Sequence, residues 1–104
     1  MRGTLTFRDG SKLEFLEYIA VENGDMERIS YRFHYVGPDG SLVFRYDNAP
    51  HHREVATFPH HKHLANGKVV EATPTSLPEV LDEIAEIILK ATYQAGHQTR
   101  HQAT

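Results

Sequence analysis

Two runs of strict alternation around a Gly-Pro-Asp-Gly loop constrain this chain most. Over residues 28–35, Ile29, Tyr31, Phe33 and Tyr35 fall on one side of an extended strand and Ser30, Arg32 and His34 on the other. After the loop at 37–40, residues 41–47 put Leu42, Phe44 and Tyr46 on one side and Val43, Arg45 and Asp47 on the other. Such a period of two predicts an antiparallel hairpin with one aromatic face to cover and one polar face left open. With Gly37 placed opposite Gly40, Arg32 lies across from Arg45 on the polar face, beside His34 and Asp47. Like charges facing each other on a sheet are mildly unfavourable unless an anion lies between them. A solvated pair of strands and an anion site both fit this reading.

The flanking sequence extends the same pattern. Residues 4–7 alternate, Asp9-Gly10 is a turn signal, and residues 12–21 form a second apolar-rich strand closed by Asn23-Gly24-Asp25. Residues 48–67 hold two prolines and little periodicity, which reads as a long loop with at most a short extended piece, and residues 68–71 suit an edge strand. Ser76-Leu-Pro-Glu79 has the form of a capping box. Leu77, Val80, Leu81, Ile84, Ile87, Ile88 and Ala91 then recur at helical spacing, with acidic residues on the other side. The expected fold is α+β, an antiparallel four- to five-stranded meander with one C-terminal helix across one face. Residues 1–96 form a single domain in this reading, and the polar stretch 97–104 is a disordered tail.

One hundred and four residues with no cysteine fit one domain and exclude thiolate catalysis, disulfides and cysteine zinc sites. No apolar run approaches a membrane span and the first residues lack a secretory signal, so a cytoplasmic protein that does not engage membranes is expected. The net charge of −3 conceals an asymmetry. Residues 28–68 carry six Lys/Arg against three acids, while the remainder carries five bases and eleven acids. The middle of the chain is therefore suited to meet an anion.

Five of the eight histidines lie within residues 51–63, next to Asp47 and Asn48. Histidine titrates near neutrality and ligates metals, so such a cluster points to proton transfer or metal binding. Metal binding would draw on His61 and His63 with His51 or His52, and on Asp47 or Glu54 as carboxylate, but the spacing matches no zinc signature. Metal-independent cleavage of an RNA phosphodiester needs a base, an acid and cations around the phosphorane, which these residue types supply without a cofactor. In that reading His52, His61, His63 and Asp47 are the catalytic candidates. Arg32, Arg45, Asn48, His51, His60 and Lys62 contact the substrate. Asp47 is expected to orient a histidine through Nδ1, and an extended segment puts His61 and His63 on one face and His60 and Lys62 on the other.

The motifs Tyr31-Arg-Phe-His-Tyr35, Phe44-Arg-Tyr-Asp-Asn-Ala-Pro-His-His52 and Phe58-Pro-His-His-Lys-His63 resemble those of the TumE family of small prokaryotic toxins, over roughly residues 13–90. The resemblance implies the toxin half of a toxin–antitoxin pair, neutralised by a protein antitoxin, for which a DNA-binding helix-turn-helix type is expected. By position it marks Arg45, Asp47, Asn48, His51, His52, His60, His61 and His63. An RNA substrate follows from the residue types rather than from the resemblance. The other readings are a non-catalytic interaction module, with a homodimer among its forms, and a divalent-metal hydrolase.

Overall fold

The computed structural model describes residues 1–103, with side chains described through Gln94. Six strands, β1 (Arg2–Thr6), β2 (Lys12–Glu22), β3 (Asp25–Val36), β4 (Leu42–Asp47), β5 (His61–Leu64) and β6 (Val69–Glu71), precede one helix, α1 (Leu77–Ala103). The strands lie in the sheet in chain order, each antiparallel to the next. The architecture is the expected α+β meander with a C-terminal helix, but with six strands instead of four or five. The expected tail at 97–104 falls on residues whose side chains, and for Thr104 the backbone too, lie outside those described. No helix among the described residues is long and apolar enough to cross a membrane.

The turns explain the meander. Asp9, Asp39 and Asn66 each precede a glycine, and each Oδ1 accepts the backbone N–H two residues on, at 2.9, 3.0 and 3.0 Å. Asn23 and Gly24, with φ of 53° and 85°, form the two-residue turn between β2 and β3, whose handedness matches the twist of paired strands.

The β3–β4 register departs from the expected one. Gly40 adopts φ of 84° and enters as an extra residue, so Gly37 N–H bonds the Ser41 carbonyl at 2.9 Å and Gly37 does not pair with Gly40. A second irregularity between Tyr35 and Val36 shifts the ladder once more. Arg32 therefore faces Asp47, and Arg45 faces His34. The facing arginine pair expected from the sequence does not form. Because the offset is two residues, every side chain keeps its expected face and only its neighbour changes.

The short extended piece allowed for within 48–67 is β5, which pairs with β4 on one side and β6 on the other. His-Lys-His-Leu has one apolar residue, so its strand character comes from its place between two ladders and not from hydrophobic alternation.

On the aromatic face, Leu13, Tyr31, Phe33, Tyr35 and Phe44 form a buried core with Val80 and Ile84 of α1, and Leu77, Leu81, Ile87 and Ile88 pack against it. Ser76 stands just before the helix, its carbonyl accepting from Val80 N–H at 3.0 Å. Glu79 departs from the expected capping box: its Oε2 accepts the Thr75 hydroxyl at 3.2 Å.

Candidate functional site

The face of the sheet opposite α1 carries the polar residues of β3, β4 and β5. Pairing of Asp47 with His61, and of Arg45 with His63, brings four chemically active side chains from two adjacent strands into one row. The chain leaves β4 through Asn48, Ala49 and Pro50, and folds back so that His52 meets both strand histidines. Its ring centroid lies 4.8 Å from that of His61 and 5.4 Å from that of His63. Val55, buried, anchors this return, and the Phe58–Pro59 peptide that leads into β5 is cis.

Asp47 and His61 are the fixed centre of the cluster, both buried. His61 Nε2 lies 2.9 Å from Asp47 Oδ1 and 3.1 Å from His63 Nε2, and His63 Nε2 lies 3.4 Å from Asp47 Oδ2. His61 Nδ1 bonds the Pro59 carbonyl at 2.9 Å. A carbonyl only accepts, so that nitrogen carries the hydrogen. Asp47 thus meets His61 through Nε2, not through Nδ1 as expected, because β5 delivers the ring with Nδ1 turned back toward its own backbone. Asp47 Oδ1 also accepts Ala49 N–H at 2.9 Å, which holds the carboxylate at the strand end. The rings of His52 and His63 are part-exposed, and His52 Nδ1 bonds Glu54 Oε1 at 3.1 Å.

Burial pushes the His63 pKa down against the opposing pull of Asp47, favouring a neutral ring near pH 7. His34 is shifted the same way, by burial and then by Arg45, whose Nε–H donates to His34 Nδ1 at 2.9 Å.

These side chains open into a cleft of about 830 Å³. Arg32, Arg45, Asp47, Asn48, His51, His52, His61 and His63 all line it, together with the apolar surfaces of Leu16, Ile29, Tyr31 and Phe58. Eight of the ten residues singled out in the sequence therefore share one concavity. Asn48 has a structural task there: its Oδ1 accepts Tyr31 N–H and its Nδ2 donates to the Ile29 carbonyl, both at 3.0 Å, continuing the pairing of β3 past the end of β4.

His60 and Lys62 lie elsewhere. His60 stacks on Tyr31, with ring centroids 5.7 Å apart, and its Nδ1 is 2.7 Å from the Tyr31 hydroxyl. Lys62 points to the helix face, where Nζ pairs with Glu83 Oε2 at 2.7 Å and lies over the rings of Phe44 and Tyr46. Burial presses its pKa down, but Glu83 and the Tyr46 hydroxyl outweigh that and raise it. Of the three expected cations, Arg32 and Arg45 line the cleft and Lys62 does not. Sequence reasoning left His34 out of the candidate set. Its place two residues from Arg32 on an alternating strand was the available signal.

A family description, Toxin TumE, matches residues 1–89, which takes in all six strands and the first half of α1. Comparison with curated proteins and with solved structures gave no match.

Proposed function

Because the chain belongs to the TumE family of toxins, it is a toxin with an antitoxin as its counterpart, and we propose that it acts by cleaving single-stranded RNA in the cleft beside β4 and β5. The observation that carries this reading is the single concavity holding Asp47, His52, His61 and His63 alongside Arg32 and Arg45. Two guanidinium groups suit a phosphodiester and its transition-state charge. The exposed apolar side chains of Ile29 and Phe58 at the cleft suit unstacked bases, the form in which RNA exposes them to side chains.

In the reaction the 2′-hydroxyl oxygen bonds to the adjacent phosphorus and gives up its proton, while the P–O5′ bond breaks and the 5′-oxygen takes a proton. The products are a 2′,3′-cyclic phosphate and a free 5′-hydroxyl, and no water is consumed. The histidine–aspartate cluster provides the proton acceptor and donor. A cytoplasmic site of action and a DNA-binding helix-turn-helix antitoxin complete the reading.

Purified protein incubated with a labelled RNA oligonucleotide tests it. Cleavage leaving cyclic phosphate ends, lost in Asp47→Asn and weakened in Arg45→Ala, is the expected result. Intact RNA under conditions where the protein is folded and toxic in cells refutes it.

A further inference from the structure

We infer that Asp47, His52, His61 and His63 form a binding site for one divalent first-row transition-metal ion, zinc foremost. The inference deepens the RNA-cleavage reading and rests on it only for what the ion does, not for whether it binds.

The atoms around His61 Nε2 carry the argument. With Nδ1–H committed to the Pro59 carbonyl, a neutral His61 ring presents a lone pair at Nε2. That lone pair faces a carboxylate oxygen at 2.9 Å and a second imidazole nitrogen at 3.1 Å, in a setting where His61 is 2% exposed. His61 Nε2 and Asp47 Oδ1, two acceptors 2.9 Å apart, need a proton or a cation between them. A second proton on the ring satisfies one contact, whereas a metal ion satisfies all three at once.

The spacings fit the ion. Ligands about 2.0–2.1 Å from a tetrahedral zinc stand about 3.3–3.4 Å from one another. His63 Nε2 stands 3.4 Å from Asp47 Oδ2, while His61 Nε2 stands 3.1 Å from His63 Nε2 and 2.9 Å from Asp47 Oδ1, a few tenths of an ångström inside that separation. His52 completes the set: it offers a nitrogen such that the ligand atoms of His52, His61 and His63 all lie within 4.8 Å of one another.

The supporting contacts match those of metal-bound histidines. A ligating imidazole characteristically donates its other N–H to a carbonyl or carboxylate, which fixes its tautomer and orientation. His61 does so to Pro59, and His52 has Glu54 at 3.1 Å. Three neutral imidazoles and one carboxylate leave a single negative charge, and this nitrogen-rich set prefers zinc and its neighbours to magnesium or calcium. An ion there would supply Lewis-acid stabilisation of the charge that develops on the phosphodiester.

The test uses purified full-length protein stripped with EDTA, freed of chelator and titrated with zinc chloride against a chromophoric competitor. One equivalent should bind with a dissociation constant of about a micromolar or tighter. His63→Ala and Asp47→Asn should each weaken binding at least about 100-fold, whereas His60→Ala should stay within about twofold. Circular dichroism establishes that each variant is folded, and His52→Gln, at a part-exposed position, serves if a change at the buried centre unfolds the chain. Cobalt(II) in place of zinc should give the intense visible bands of a four-coordinate site. Less than half an equivalent bound by wild type, or equal affinity in folded His63→Ala and His52→Gln, overturns the inference. RNA cleavage that continues in EDTA without zinc binding also overturns it and leaves the functional reading standing. One bound equivalent without RNA cleavage supports the metal site while removing the functional reading.

Discussion

Arg32 faces Asp47 across the β3–β4 ladder, on the same open face as the histidines of β5. A cation thus flanks the carboxylate that anchors the cluster, and Arg45 flanks it from the other side, opposite both His34 and His63. The cleft has a charged rim around a compact centre. On the proposed reading, an anionic substrate would meet the rim first, with the histidines behind it.

This arrangement predicts a salt-dependent encounter with RNA. Each phosphate neutralised on a single strand contributes about 0.7 to the slope of log affinity against log salt. Arg32→Ala and Arg45→Ala should each flatten the slope by about that amount, measured by fluorescence anisotropy with a labelled oligonucleotide. An unchanged slope in both variants would place the RNA on another surface.

Lys62 belongs to the fold and not to the cleft. Lys62→Ala should lower unfolding stability by about 1 kcal/mol, the order expected for a half-exposed ion pair, and leave toxicity in cells intact. In a cycle with Glu83→Ala, measured by urea denaturation, the double variant should lose less than the sum of the two single losses. Loss of toxicity with full stability would return Lys62 to the substrate.

Helix docking should be separable from chemistry. Ile84 is fully buried against the sheet, so Ile84→Ala should cost about 2–5 kcal/mol. Ser76→Ala, which removes a hydroxyl that makes no hydrogen bond to the first helical turn, should cost less than the roughly 1 kcal/mol of a lost cap. Urea denaturation gives both values. RNA cleavage at a temperature where each variant is folded should match wild type.

Stability should fall on mild acidification. Burial, reinforced by Arg45 for His34 and by Arg28 for His60, holds both pKa values below those of free histidine. The unfolded chain therefore binds more protons than the folded one as pH drops through the normal histidine range. The stabilisation is fully present above that range and is lost as pH falls through the depressed folded values. Thermal melts in EDTA should show a lower Tm at pH 5 than at pH 7.5, and His34→Gln should reduce the difference. A Tm that rises over the same interval contradicts the assignment.

Much of this was legible in the residues. Alternation around Gly37–Pro38–Asp39–Gly40 identified the central hairpin and its two faces, and the apolar spacing from Leu77 identified the helix and its buried side. The alternation of His61, Lys62 and His63 also sorted those side chains to the correct faces. Two things escaped, each for a local reason. The partner of Arg32 depended on Gly40 taking a positive φ and on a further irregularity at Tyr35, neither of which changes the hydrophobic pattern. The position of the His61–His63 strand in the sheet was concealed because its single apolar residue gives no pattern, and its pairing is decided by β4 and β6. Without that pairing, the atom through which Asp47 meets His61 has no sequence signature.

The tripeptide His61-Lys62-His63 serves two masters, since its odd positions face the cleft and its even position ties β5 to α1 through Glu83. An insertion or deletion of one residue just ahead of it would turn both imidazoles toward Phe44 and Tyr46 and send the lysine into the cleft. The candidate site and the tie between sheet and helix are thereby written into the same three codons. A change in strand length there would thus disturb the fold as well as the cluster, whereas a point substitution at the part-exposed His63 would alter the cluster and leave the Lys62–Glu83 tie in place.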